Sequence, residues 1–148
     1  MEDTKKIVVA VSGVFDPIHI GHVLMINEAK KLGDHLVVIL NNDNWLIGKK
    51  GASFMPEAER KEIIESLAGV DEVVLTDHAP GYTDRSVCST LRAIAPDIFA
   101  NGGDRKPDGD PVPEVELCNE LGIELYYNVG QGGKVQSSSW LVEKAKEV

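Results

Sequence analysis

The stretch Ser12-Gly13-Val14-Phe15-Asp16-Pro17-Ile18-His19-Ile20-Gly21-His22 decides the reading of this chain. It follows Ile7-Val8-Val9-Ala10-Val11, a near-continuous β-favouring run of the kind buried on both faces of a sheet. It leads into a segment whose apolar period is helical. His22, Met25, Ile26, Ala29 and Leu32 share one face of a helix expected over Ile20 to Leu32, with Gly33 as its stop. Gly13 ends the strand where backbone can approach a ligand without a Cβ in the way. His19 and His22, three residues apart, project from one side of the first helical turn beside unpaired amides that favour an anion. Gly21 lets a ligand pack against the helix start. Two such histidines could also be a metal pair or simple surface and capping residues. No HExxH-like pattern accompanies them, and the Gly-Val-Phe-Asp-Pro context is more restrictive than the spacing alone.

The same alternation continues outward. Strands are expected over Leu36 to Leu40, Val70 to Thr76, Asp97 to Ala100 and Ile123 to Asn128. Between them lie helices starting near Pro56, with the inner stripe Ile63, Ile64 and Leu67 and an end at Gly69, and over Asp84 to Ile94 and Pro113 to Leu121. A last helix is expected over Ser137 to Glu147. Asn41 to Asn44 reads as a polar stretch followed by a loop with Lys49, Lys50 and Gly51, and Asn101 to Pro113 as a loop. This predicts one domain over residues 1–148: an α/β, Rossmann-like, doubly wound parallel sheet of five strands with helices on both faces. Ligands in such folds sit outside the carboxyl ends of the strands, at a switch in strand order.

Bulk properties narrow the function classes. At 148 residues, 43% hydrophobic and 26% charged, the chain is an ordinary globular sequence rather than a disordered or fibrous one. Its apolar runs are too short to span a bilayer, and its first residues lack signal-peptide features. The two cysteines, Cys88 and Cys118, have no metal-ligand spacing, and free thiols in the cytoplasm are expected. A net charge of −9 disfavours an extended nucleic-acid partner but leaves room for a small anionic ligand held by local donors.

Further candidates cluster after the strands. Gly132-Gly133-Lys134-Val135-Gln136-Ser137-Ser138-Ser139 precedes an apolar-periodic helix. One serine is expected as an N-cap; three hydroxyls and a lysine also suit triphosphate oxygens. Lys49 and Lys50 read either as solvated loop charges or as phosphate ligands. Asn101-Gly102-Gly103-Asp104 allows an unusual backbone path, with Asp104 also a plausible turn former. Asp16 reads as a helix-start cap or a ligand-site residue, and Arg60 as an ion-pair partner or a weak acceptor contact. Trp45 and Trp140 read as packing residues.

Gly13-Val14-Phe15-Asp16-Pro17-Ile18-His19-Ile20-Gly21-His22 resembles the signature of the cytidylyltransferase-like nucleotidyltransferase superfamily. The resemblance extends through Ala29-Lys30-Lys31-Leu32-Gly33-Asp34, Lys49-Lys50, Glu59-Arg60 and Val70-Asp71-Glu72-Val73, in that order. The superfamily includes glycerol-phosphate and ethanolamine-phosphate cytidylyltransferases, and adenylyltransferases of the heptose-phosphate, pantetheine-phosphate and FMN types. The serine segment resembles its second signature, with Lys134 where the fuller form has arginine. The resemblance implies CTP or ATP, Mg bound with the triphosphate rather than by direct protein ligands, and a small phosphorylated acceptor. It also implies a homodimer. An acceptor phosphate would attack the α-phosphorus and release pyrophosphate, which needs positioning and charge stabilisation. His19, His22 and one of Lys49 and Lys50 would stabilise the transferring phosphates. Lys134 and Ser137 to Ser139 would hold the leaving end, and Gly13 to Asp16, Gly21 and Asn101 to Asp104 would line the nucleotide. A class I aminoacyl-tRNA synthetase shares the HIGH motif, but an acidic chain of 148 residues leaves no room for tRNA recognition. A Rossmann dehydrogenase would carry G-x-G-x-x-G in the first loop. A non-catalytic nucleotide-binding module is the alternative from another class.

Overall fold

The first apolar run, Val8–Gly13, forms β1 at the centre of the sheet in this computed structural model, which describes residues 5–102, 113–129 and 138–147. The other strands are β2 (His35–Leu40), β3 (Glu72–Leu75), β4 (Ile98–Gly102) and β5 (Glu124–Val129), in the order β3-β2-β1-β4-β5 and all parallel. The described residues form six helices, the first five lying between strands: α1 (Ile20–Lys30), α2 (Asp43–Lys50), α3 (Glu57–Glu65), α4 (Cys88–Ile94), α5 (Pro113–Leu121) and α6 (Ser138–Lys146). The expected doubly wound α/β sheet is present. Its strand order reverses at β1 and β4, so the loop after β1 opens at the switch point.

Alternating side chains of β1 feed two cores. Val9 and Val11 join Ile26 and Ala29 of α1 and Ile64 of α3 on one face. Ala10, Ile39 and Phe99 meet Leu91 of α4 and Leu117 of α5 on the other. Burial on both faces explains the lack of a polar alternation in β1 and β2. At the amino ends of the strands, carboxylates accept backbone amides: Asp34 from Ile7 at 2.9 Å, Asp97 from Val8 at 2.9 Å and Asp71 from Leu36 at 2.8 Å. These bonds secure the end of the sheet away from the switch-point loops. Cys88 and Cys118 are free thiols, and burial pushes Cys118 up to about 11. Among the described residues no helix is long and apolar enough to cross a membrane.

Four expectations need correction. Lys49 and Lys50 are not in a loop but in the last turn of α2, which Asn42 caps by accepting the Trp45 amide and Gly51 ends at φ 87°. The helix expected from Asp84 begins at Cys88, because the Asp84 side chain accepts the Ser86 amide at 2.9 Å and makes a turn there. The inner stripe of α3 is Arg60 and Ile64 with Leu67 beyond it, while Ile63 is 37% exposed. Asn101 and Gly102 belong to β4, with an irregularity in the β5 pairing between Ala100 and Gly102.

Candidate active site

His19 is the N-cap of α1 rather than part of its first turn, with extended backbone (φ −147°, ψ 179°). Its Nδ1 accepts the Gly21 amide at 3.1 Å, and His22 Nδ1 accepts the His19 amide at 3.1 Å. Two imidazoles thus build a capping box that serine and glutamate make elsewhere. The rings stack with centroids 3.8 Å apart and planes 29° from parallel. An Nδ1 that accepts an amide carries no proton, so the hydrogen-bond network assigns the proton of each neutral ring to Nε2. Burial, and then the neighbouring His19, lower the His22 pKa to about 3. His22 is therefore a neutral donor at physiological pH. The arrangement places imidazole N–H donors at a helix N-terminus, where they could serve an anion.

Phe15 locks this pair in place. It adopts φ 54°, unusual for a residue with a Cβ, and is 1% exposed. Its ring lies 4.5 Å from that of His22. Gly13 has a packing reason beside the expected one. A Cβ there would come 2.9 Å from Phe15 Cε2, so the glycine makes room for the phenylalanine ring. Phe15 is a buried support and not a stacking surface.

Asp16 turns away from the start of α1, so it is no helix-start cap. Its carboxylate, 5% exposed, accepts the amides of Phe54 at 2.7 Å and Met55 at 2.6 Å, tying the first loop to the segment before α3. Arg60 is corrected more sharply. Its side chain is buried, with Nε donating to Met55 O (2.9 Å), Nη1 to Val14 O (2.9 Å) and Asn41 O (2.7 Å), and Nη2 to Asp43 Oδ1 (2.8 Å). An acceptor has no access to a guanidinium so enclosed. Arg60 instead joins the ends of β1 and β2 to α2 and α3, and Val14 contributes its carbonyl to that joint.

Those of the remaining candidates that are described spread around the same end of the sheet. Lys49 and Lys50 are exposed on α2, with Lys49 Nζ 4.8 Å from the Trp45 ring centroid. Asn101, 7% exposed, donates to Tyr126 O across β4 and β5 at 3.4 Å. Gly102 ends β4; Ser138 and Ser139 begin α6. Gly103, Asp104, Lys134 and Ser137 lie outside the described residues. Among the described residues no group of three or more His, Cys, Asp or Glu side chains could hold a metal ion.

Asn42 and Asp43 escaped the sequence reading although they organise the site's edge. Asn42 Nδ2 donates to Thr76 O and His78 O, and Asp43 receives Arg60. An asparagine directly before a helix-sized segment is an N-cap signal that could have revealed α2.

The family model described as Cytidylyltransferase-like matches residues 10–121. The FAD synthase of Aciduliprofundum boonei is 38% identical over 117 residues, which cover 79% of this chain and 73% of the relative. The bifunctional protein HldE of Desulfatibacillum aliphaticivorans is 35% identical over 120 residues, 80% of this chain and 23% of that longer protein. Among solved structures, the lipopolysaccharide core biosynthesis protein of Thermoplasma volcanium GSS1 has a TM-score of 0.67 at 28% identity, covering 86% of this chain and 100% of that one.

Proposed function

The chain belongs to the cytidylyltransferase-like family and is a nucleotidyltransferase, and on that premise we propose that it transfers the adenylyl group of ATP to the phosphate of a small acceptor. The observation that carries this reading is the mutually capped histidine pair at a helix N-terminus, with His22 held neutral by its burial. An oxygen of the acceptor phosphate attacks the α-phosphorus while the bond to the bridging β-phosphate oxygen breaks, and pyrophosphate leaves. His19 and His22 donate hydrogen bonds to the oxygens that gain charge, and no proton has to move. A lysine of α2 adds positive charge. Gly13, Gly21 and Asn101 to Asp104 border the nucleotide, and Lys134 with Ser137 to Ser139 holds the leaving pyrophosphate.

The donor set fits magnesium that arrives with the triphosphate. Each histidine has its Nδ1 lone pair occupied and its Nε2 protonated, so neither is a metal ligand. Magnesium would then be held by phosphate oxygens and water, where it neutralises charge on the leaving group.

Similarity to FAD synthases supports ATP and makes FMN the first acceptor to test. Similarity to HldE and to the lipopolysaccharide core biosynthesis protein favours a heptose phosphate as the second reading. A homodimer, which rests on the family resemblance, and a cytoplasmic location, which rests on the free thiols, belong to the same proposal. The deciding experiment measures pyrophosphate release from ATP and CTP, each paired with FMN, sugar phosphates and glycerol phosphate. Release with ATP and FMN is expected. Release confined to CTP with an alcohol phosphate would overturn adenylyl transfer, and tight nucleotide binding without any release would mark a binding module.

A further inference from the structure

Helix α2 presents two different faces to its surroundings. One is fastened to the segment 76–87 between β3 and α4. Asn44 Nδ2 donates to His78 O at 2.9 Å, Trp45 Nε1 to Arg85 O at 2.9 Å, and the Tyr82 hydroxyl to Trp45 O at 2.7 Å. The Tyr82 ring lies against Gly48, where a Cβ would come 2.5 Å from its Cε1. His78 braces the segment from within, its ring nitrogens 2.8 Å from Thr76 Oγ1 and 3.1 Å from Ser86 O. Lys49, four residues after Trp45, sits on this side with its ammonium over the indole.

The other face holds Asp43 and Leu46. Asp43 receives Arg60, whose guanidinium also binds Val14 O in the loop that leads to the histidines, and Leu46 is fully buried. Lys50 follows Leu46 by four residues and Asp43 by seven, so it shares their face. Among the described residues no carboxylate pairs with its ammonium.

We propose that Trp45 is a positioning residue for nucleotidyl transfer: it clasps α2 to the segment 76–87 and engages Lys49, so that Lys50 is the ammonium presented to the phosphates. The inference rests on the nucleotidyl-transfer reading above and assigns the two adjacent lysines different work. Lys49 helps fix the helix, and Lys50 contacts the triphosphate. Trp45 acts at a distance, through the placement of the last turn.

Steady-state kinetics of five variants test this. Lys50→Ala should lower kcat/KM for the triphosphate by about 100-fold, the scale for losing one preorganised donor. Lys49→Ala should cost only about 2- to 5-fold, the scale of an exposed cation–π contact. Trp45→Leu should reduce kcat by about tenfold through misplacement of the lysine. Trp45→Phe, which keeps a ring under Lys49, should recover most of that loss. Tyr82→Phe, which removes one bond of the clasp and no ring, carries the kinetic arm if Trp45→Leu does not fold. Equal losses in Lys49→Ala and Lys50→Ala, or parental kcat in a folded Trp45→Leu together with Tyr82→Phe, overturn the proposal. A second readout needs no turnover. In a Trp140→Phe background Trp45 is the sole tryptophan, and its emission should shift in Lys49→Ala but not in Lys50→Ala. Unchanged emission in Lys49→Ala refutes the clasp. If the parent protein releases no pyrophosphate with any substrate pair, the functional reading and the role of Lys50 fall together, and emission alone judges the clasp.

Discussion

The Phe15 ring occupies the space that a side chain on Gly13 would need, and carries that constraint to His22, 4.5 Å away. Gly13→Ala should therefore damage both stability and chemistry. Overpacking of this kind costs about 1–3 kcal/mol, because the buried ring must leave its position. Turnover should fall more than stability alone explains, since the His22 ring loses its support. Thermal unfolding together with turnover below the transition checks this. A Gly13→Ala protein with parental melting and parental rate would contradict the packing argument.

His22→Ala should lower turnover by about 100- to 1,000-fold, the scale for removing a donor aimed at developing charge. Its structural cost is smaller, about 1 kcal/mol for losing one half of the capping box. The variant should thus unfold cooperatively a few degrees below the parent. Near-normal turnover in a folded His22→Ala enzyme would sink the assignment.

Stability should drain on the acid side through His22. Its folded pKa of about 3 lies below the ordinary histidine value of 6.5, so the unfolded chain takes up this proton first. The contribution is whole above about 6.5 and is lost as pH falls from there towards 3. Asp71, lowered chiefly by its hydrogen bond from Lys30, acts in the same direction at lower pH, below 3.8. The His22 imidazole resonances followed by NMR should show no titration near 6.5. A midpoint there would overturn the buried neutral ring.

Arg60→Ala should be among the most destabilising changes in the chain. It leaves Asp43 and three carbonyls without their shared donor, a loss on the scale of about 3–5 kcal/mol for breaking a buried ion pair. Arg60→Lys keeps the charge but not the planar fork, and should recover only part of the loss. Asp43→Asn retains an oxygen for Nη2 and should cost less than Arg60→Ala. Chemical denaturation ranks the three, and a mild Arg60→Ala would show that the joint is dispensable.

Much of this was legible in local pattern. The switch from the apolar run Ile7 to Val11 to a helical period after Ile20 carries the β1–α1 unit, and its repetition carries the parallel sheet. The spacing of His19 and His22 at a helix start carries the anion site. These are short-range signals, since the period of a strand or helix is written in neighbouring residues. The α2 helix was obscured because the polar stretch Asn41 to Asn44 reads as loop, although Asn42 is its cap and Asp43 and Asn44 are its first residues.

What no local pattern contained is the set of bonds between segments distant in the chain. Arg60 reads as an ion-pair partner, and Asp43 supplies that pair, but its carbonyl partners Val14 and Asn41 become neighbours only when β1 and β2 lie side by side. Gly13 reads as a glycine for ligand approach, and nothing in the letters reveals that Phe15, at φ 54°, also folds back over it. Even the two histidines, the plainest signal in the sequence, acquire their proton positions from which amides their Nδ1 atoms accept. The pattern placed donors at the helix start, and the hydrogen-bond geometry of the folded chain set which edge of each ring donates.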